Sequence, residues 1–247
     1  MSKAKIIIII VFLIGIVGFL TFFALNLSKE LKEEKAIRQE IDQIMELKKN
    51  KEENKEQIDL ILSRKLTTKN YLKVEIAAKS YFSDLYNYID NINYLASSET
   101  VNYLSAENIK KERDTDFTVS KQNIQDNKNQ ITDNINKLID LTTNEKIILG
   151  YLDQNGLKQY YIDFYKDLIS KYTEGLDADY INNKYGFLIK RLEIYEDAID
   201  FLVKNKKEWG VPKFTNDAIE FYDEDIKKEF ETKVAALYDN TKNIQEQ

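Results

Sequence analysis

The twenty residues Ile6 to Leu25, IIIIIVFLIGIVGFLTFFAL, carry no charge and hold Thr21 as their one polar side chain. At a helical rise of about 1.5 Å per residue they reach roughly 30 Å, the hydrocarbon thickness of a bilayer. No second run of this kind follows in the sequence. The predicted layout is a short tail over residues 1–5, a transmembrane signal anchor over 6–25, and one tethered body behind it. Cleavage is not expected, because Phe22-Phe23-Ala24-Leu25-Asn26 lacks the pair of small residues that a cut site needs. No cysteine follows the run, so a lipoprotein anchor is not expected either.

Sidedness is read from the flanking cations. Lys3 and Lys5 precede the run, whereas Lys29, Lys32, Lys35 and Arg38 follow it, and a raw count places the body inside. The downstream lysines alternate with Glu30, Glu33 and Glu34, and long domains translocate largely regardless of charge. The expected orientation is therefore a single-pass cell-membrane protein with its C-terminal domain extracytoplasmic.

Composition restricts the chemistry. The chain has 247 residues, no histidine and no cysteine, which removes thiol and imidazole catalysis, the usual zinc sites and disulfides. The formal charge is −6, and −8 without Lys3 and Lys5, which argues against nucleic acid and predicts no polybasic grip on anionic lipid. One proline and seven glycines suit long helices.

Periodicity then divides the rest. Leu27, Leu31, Ile37, Ile41, Ile44 and Leu47 form a narrow helical stripe, predicting a stalk over residues 26–57 that ends in the polar hinge KKNKEENKEQ. Such a stripe suits pairing with one other helix, either from a second copy, giving a homo-oligomer, or from the domain behind it. Residues 58–247 are predicted to form an elongated all-α bundle of five or six amphipathic helices, with short connections implying antiparallel neighbours. Its longest stripe is Tyr71, Val74, Ala78, Phe82, Leu85, Ile89, Ile92 and Ala96. Thr100 to Thr118 is left open, and Phe117, Ile124, Ile131 and Leu138 recur every seven residues as a half-apolar seam with Lys121, Lys128, Ile135 and Thr142 between them. Thr142 to Glu145 matches a capping box opening a short helix that stops at Asn155-Gly156. Asp177 and Thr215 are predicted to cap the last two helices, and no sheet is expected.

Site candidates are few. The acidic stretch Asp217 to Glu231 points successive carboxylates in different directions on a helix, so no metal is predicted there. Calcium-loop registers on Gly156 and on Asp177 fail at their ligand positions. Glu193 with Glu196 and Asp197 with Asp200 lie one turn apart, the spacing a carboxylate-dependent hydrolase needs, but no pocket-forming loop accompanies them. Ser80 beside Lys79 lacks a supporting motif. No catalytic residue and no cofactor are predicted. Tyr165, off the main stripe of its helix, and Trp209, in the loop with the only proline, are the candidates for an interaction surface, Trp209 also being read as a lid on the bundle end.

The layout, one anchor followed by a helical bundle, is similar to the sensor half of bacterial chemoreceptors, though those return through a second membrane helix. The expectation is a non-enzymatic, membrane-anchored interaction or ligand-binding module of the cell envelope. A cytoplasm-facing scaffold stands second and a carboxylate hydrolase third.

Overall fold

The computed structural model describes residues 27–48, 54–97, 102–212 and 219–245, with side chains as far as Leu237. The apolar run Ile6 to Leu25, Thr215 and Asp217 lie outside the described residues. Among the described residues no helix is long and apolar enough to cross a membrane.

The described chain is predominantly helical, as an all-α protein should be. Helix α1 covers residues 27–48, α2 Lys55–Ser63, α3 Lys69–Leu95, α4 Ala106–Glu112, α5 Thr118–Thr143, α6 Glu145–Gly150, α7 Gln159–Thr173, α8 Ala178–Lys204 and α9 Glu224–Gln245. The stretch left open by the sequence holds α4, which Ser105 caps by accepting from the Asn108 N–H, and a 3₁₀ turn at Arg113–Thr115.

Several local expectations need correction. Thr142 and Thr143 do not open a capping box; they end α5, donating their hydroxyls back to the carbonyls of Leu138 and Ile139. Asn144 takes over as the cap of α6, its Oδ1 3.1 Å from the Lys146 N–H. That helix stops at Gly150, and Gly156, with φ of 70°, turns the link that follows. The last helix starts later than expected, where the Asp223 carboxylate accepts from the N–H groups of Asp225 and Ile226. Ahead of it, β1 (Trp209–Gly210) pairs antiparallel with β2 (Glu220–Phe221), in the register Trp209 to Phe221 and Gly210 to Glu220. Two rungs are too short to show alternation, so the sequence could not announce them.

The chain divides into two compact units. The first runs to Ser83 and adds Ile148–Tyr172, and the second takes Asp84–Ile147 and everything from Thr173.

In the first unit α1 is not a free stalk. Its Ile37, Ile41 and Ile44 are at most 1% exposed, covered by the chain's own residues. Contacts fix the helix directions. Along α1, Glu34 meets Tyr160, Arg38 meets Asp167 and Asp42 meets Tyr172, while along α3, Tyr71 packs on Tyr161 and Phe82 on Tyr172. Partners ascend together, so α1, α3 and α7 run parallel; no short connection joins any two of them, so the antiparallel expectation for closely linked helices does not apply to them. Parallel neighbours need long returns. One is supplied by α2 with the extended residues 64–68, and the other by residues 84–147 of the second unit.

The second unit follows the expected antiparallel pattern. Asp116, Lys121 and Lys128 pair with Lys206, Asp200 and Glu196 in turn, so α5 and α8 run in opposite directions. The sevenfold positions Phe117, Ile124, Ile131 and Leu138 are all buried, with Ile135. The two lysines that make the seam half apolar sit on its rim, each bound to an α8 carboxylate.

Burial along α1 leads to a stability prediction. Ile41→Ala should cost about 2 to 5 kcal/mol in urea unfolding followed by circular dichroism, the usual toll of a core cavity. Leu31→Ala on the same stripe, where Leu31 is 56% exposed, should stay within about 0.5 kcal/mol.

Candidate functional site

The first unit encloses charge. Glu40 of α1 and Lys79 of α3 are each 4% exposed and Glu75 of α3 is 1% exposed. All three lie on otherwise apolar faces, Glu40 between Ile37 and Ile44, and Glu75 and Lys79 a turn apart beside Val74, Ala78 and Phe82. The Lys79 Nζ lies 2.7 Å from Glu75 Oε1, 3.1 Å from Glu40 Oε2 and 2.7 Å from the Arg64 carbonyl, which uses its three N–H donors. Arg64 closes the cluster from the other side. Its Nε donates to Glu40 Oε2 at 2.8 Å and its Nη2 to Glu40 Oε1 and Gln43 Oε1. Glu75 meanwhile accepts from the Thr67 hydroxyl at 2.6 Å, the Thr67 N–H at 2.9 Å and the Leu66 N–H at 3.0 Å.

Each charge is thus met by opposite charge or by fixed dipoles. Burial pushes the Glu40 carboxyl up, but the hydrogen bonds from Arg64 and Lys79 outweigh it and hold the group below its ordinary value. Burial also acts on Glu75, where Lys79, Thr67 and the N–H groups of Thr67 and Leu66 win in the same direction. The Arg64 guanidinium is raised by its bond to Glu40. A general acid needs a carboxyl held up and protonated; these two are held ionised. The cluster is built to clamp α1, the 64–68 segment and α3 together.

A second polar row lies along α1. Tyr71 donates to Glu34 Oε1 at 2.9 Å, Tyr160 donates to the same oxygen, and Tyr172 donates to Asp42. Between them the Arg38 guanidinium sits 5.1 Å from the Phe164 ring centre and 2.7 Å from Asp167 Oδ2. Burial first, then the neighbouring hydroxyl and carboxylate, push the Tyr71 phenol well above its usual range. Tyr172 is raised by burial and by Asp42, and Tyr160 by its bond to Glu34. These phenols stay protonated donors, and they pin α7 and α3 to α1.

Both interaction-surface candidates turn inward. Tyr165 is 0% exposed, and its hydroxyl donates to the Ile148 carbonyl at 3.0 Å. The buried face of α7 is wider than its main stripe, taking in Phe164, Tyr165, Leu168 and Ile169 together. Trp209 is 1% exposed, its Nε1 donating to the Leu202 carbonyl at 2.7 Å. Arg113 lies over the indole at 5.1 Å and donates to the Trp209 carbonyl. Phe117, in the left-handed region with φ of 58°, packs against the same ring. Trp209 is therefore the lid of the second unit, the favoured of its two readings.

The remaining candidates separate. Glu196 and Asp200 are tied to Lys128 and Lys121, while Glu193 and Asp197 are exposed beside them. Ser80 is exposed, and the Lys79 amine next to it is spent inside the clamp. Among the described residues no group of acidic side chains is placed to hold a metal ion. Sequence reasoning missed Glu40, Arg64 and Glu75. The signal present was a charged residue on the apolar face of a helix, which is costly unless paired. In comparison with known proteins, no family model, no curated protein and no solved structure matches this chain.

The clamp predicts acid sensitivity of a definite sign. Glu40 and Glu75 have folded values below their unfolded ones, so their stabilisation is complete above roughly pH 4.3 and is lost as pH falls through the lower folded values. Lys79→Met should cost about 3 to 5 kcal/mol near neutrality, because it leaves the buried Glu75 without a cation and Glu40 with Arg64 alone. The acid loss should shrink in that variant, as read from urea midpoints between pH 7 and 3.

Proposed function

We propose that this chain is a non-enzymatic, single-pass membrane-anchored helical protein whose body stands outside the cytoplasm and acts in the cell envelope by protein contact or ligand capture. One observation carries the reading. The apolar run ends at Leu25, α1 is already helical at Leu27, and Ile37, Ile41 and Ile44 of that helix are core residues of the first unit. The anchor would therefore lead into the folded body through the first turns of α1, residues 27–33, whose helix continues into the core at Ile37. Support for a non-catalytic role comes from the interior carboxylates, which are paired with cations and held ionised.

The opposite orientation, a cytoplasm-facing scaffold or regulator, draws on Lys29, Lys32, Lys35 and Arg38 after the run. The chain has no cysteine of its own, so single cysteines at the exposed Ser80 and Glu193 can be labelled on intact cells with an impermeant maleimide. Labelling of both positions before lysis is expected. Labelling only after lysis would move the body inside and make the scaffold the leading reading. A variant lacking residues 1–25 should leave the membrane fraction, which tests the anchor itself.

A further inference from the structure

We propose that the anchor-side end of the first unit rests on an anionic lipid headgroup layer, with Leu27 and Leu31 set into the interface and a rim of lysines over it. The inference rests on the membrane-anchor reading and adds what the body does at the surface.

Because α1, α3 and α7 run parallel, their N-terminal ends gather on one side of the unit. Glu33 of α1 is level with Thr68, just before α3, and Glu34 is level with Tyr160, in the first turn of α7. Residues 27–33 of α1 therefore project about 10 Å beyond the other two helices. The projection carries Leu27 at 47% exposure and Leu31 at 56%, and the rim behind it carries Leu66 and Tyr160, each at 50%. Ile76, at 44%, is also exposed, beside the Glu75 whose carboxylate holds the Leu66 N–H and therefore further from that end. Leu25, the last residue of the apolar run, stands two residues before Leu27 in the sequence. The projection is long enough to cross the headgroup layer, about 5 to 8 Å deep on each side, and brings the ends of α3 and α7 to its outer edge, within reach of lysine side chains.

The charge on this end differs from that of the whole chain. Lys29, Lys32, Lys65, Lys69 and Lys158 are all exposed there. Against them stand Glu30 on the projection, Glu33, which lies 4.0 Å from Lys29, Glu34, which accepts from Tyr71 and Tyr160, and Asp153, which is paired with Lys73, so the cations outnumber the carboxylates there without being free of them. The positive ends of the α3 and α7 dipoles face the same way. A net acidic protein thus turns a locally basic end toward the side from which its apolar run departs, and basic residues beside a membrane gain from anionic lipid.

The test uses the full chain in vesicles of phosphatidylcholine alone or with phosphatidylglycerol, both doped with a lipid spin-labelled near the headgroup. Single cysteines at Leu31, Leu66 and Gln159 carry a fluorophore, with Val17 in the apolar run and Glu56 of α2 as references. Quenching is expected at 17, 31, 66 and 159 but not at 56. At 66 and 159 it should be at least about twofold stronger with phosphatidylglycerol, and the Lys65→Gln, Lys69→Gln, Lys158→Gln triple variant should erase that difference. Quenching at 17 without quenching at 66 and 159 would overturn the apposition and leave the anchor standing. So would equal quenching at 66 and 159 in both vesicle types. No quenching at 17, with protein that fails to float with the vesicles, would overturn the anchor reading on which the proposal rests.

Discussion

The ammonium of Lys79, held between Glu40 and Glu75 in the interior of the first unit, is the contact on which its helix arrangement depends. Apolar burial drives the helices together but has no direction, so Ile37, Ile41 and Ile44 alone would tolerate a shift of α1 against α3. The charges do not. A slip of one turn would leave a buried carboxylate without its cation, and an uncompensated buried charge is far more costly than a misfitted methyl group. Arg64 extends the same constraint to the 64–68 segment, whose Leu66 and Thr67 N–H groups end on Glu75. That segment has no helix or strand to satisfy its backbone, and a buried carboxylate does so instead.

Around this clamp, the tyrosines act as a second set of pins. Glu34 receives two phenols and Asp42 one, spaced two turns apart on α1, and Arg38 fills the turn between them against Phe164 and Asp167. A phenol that is half buried with its hydroxyl on a carboxylate contributes both apolar area and direction. The second unit uses polar groups more sparingly. Glu112 accepts from the Ser120 N–H in the first turn of α5, and Asn127 donates to the Tyr103 hydroxyl, while the rest of its core is aliphatic and aromatic. Its strained corner, with Asp116 and Phe117 both at positive φ, is held by the Trp209 hairpin and Arg113 packed over it.

The fold was partly legible and the candidate site was not. Helical periodicity located α3, α5, α7 and α8 nearly to their ends, because each has an apolar stripe many turns long. Asp177 stood where its cap was expected, since a carboxylate at that position meets an orphan N–H whatever the tertiary fold. Thr142 failed as a cap for a local reason: α5 ran on through it, and a hydroxyl inside a helix bonds back to its own carbonyls. Tyr165 was misplaced because exposure depends on what packs from outside the segment, whereas Trp209 took the lid position favoured for it. The clamp was hidden for the same reason, as its members lie on three separate segments of the chain.

By itself the sequence determined the helical class, the apolar run before Leu27, the absence of thiol and imidazole chemistry, and the sevenfold seam of the second unit. All of these follow from residue identity and spacing along one segment. Only the tertiary structure decided that α1 belongs to a folded unit, that three of its helices run parallel, and that Glu40, Arg64, Glu75 and Lys79 meet. Those outcomes depend on chain returns through α2 and through residues 84–147, and no periodicity within a helix records where a distant helix will come to rest.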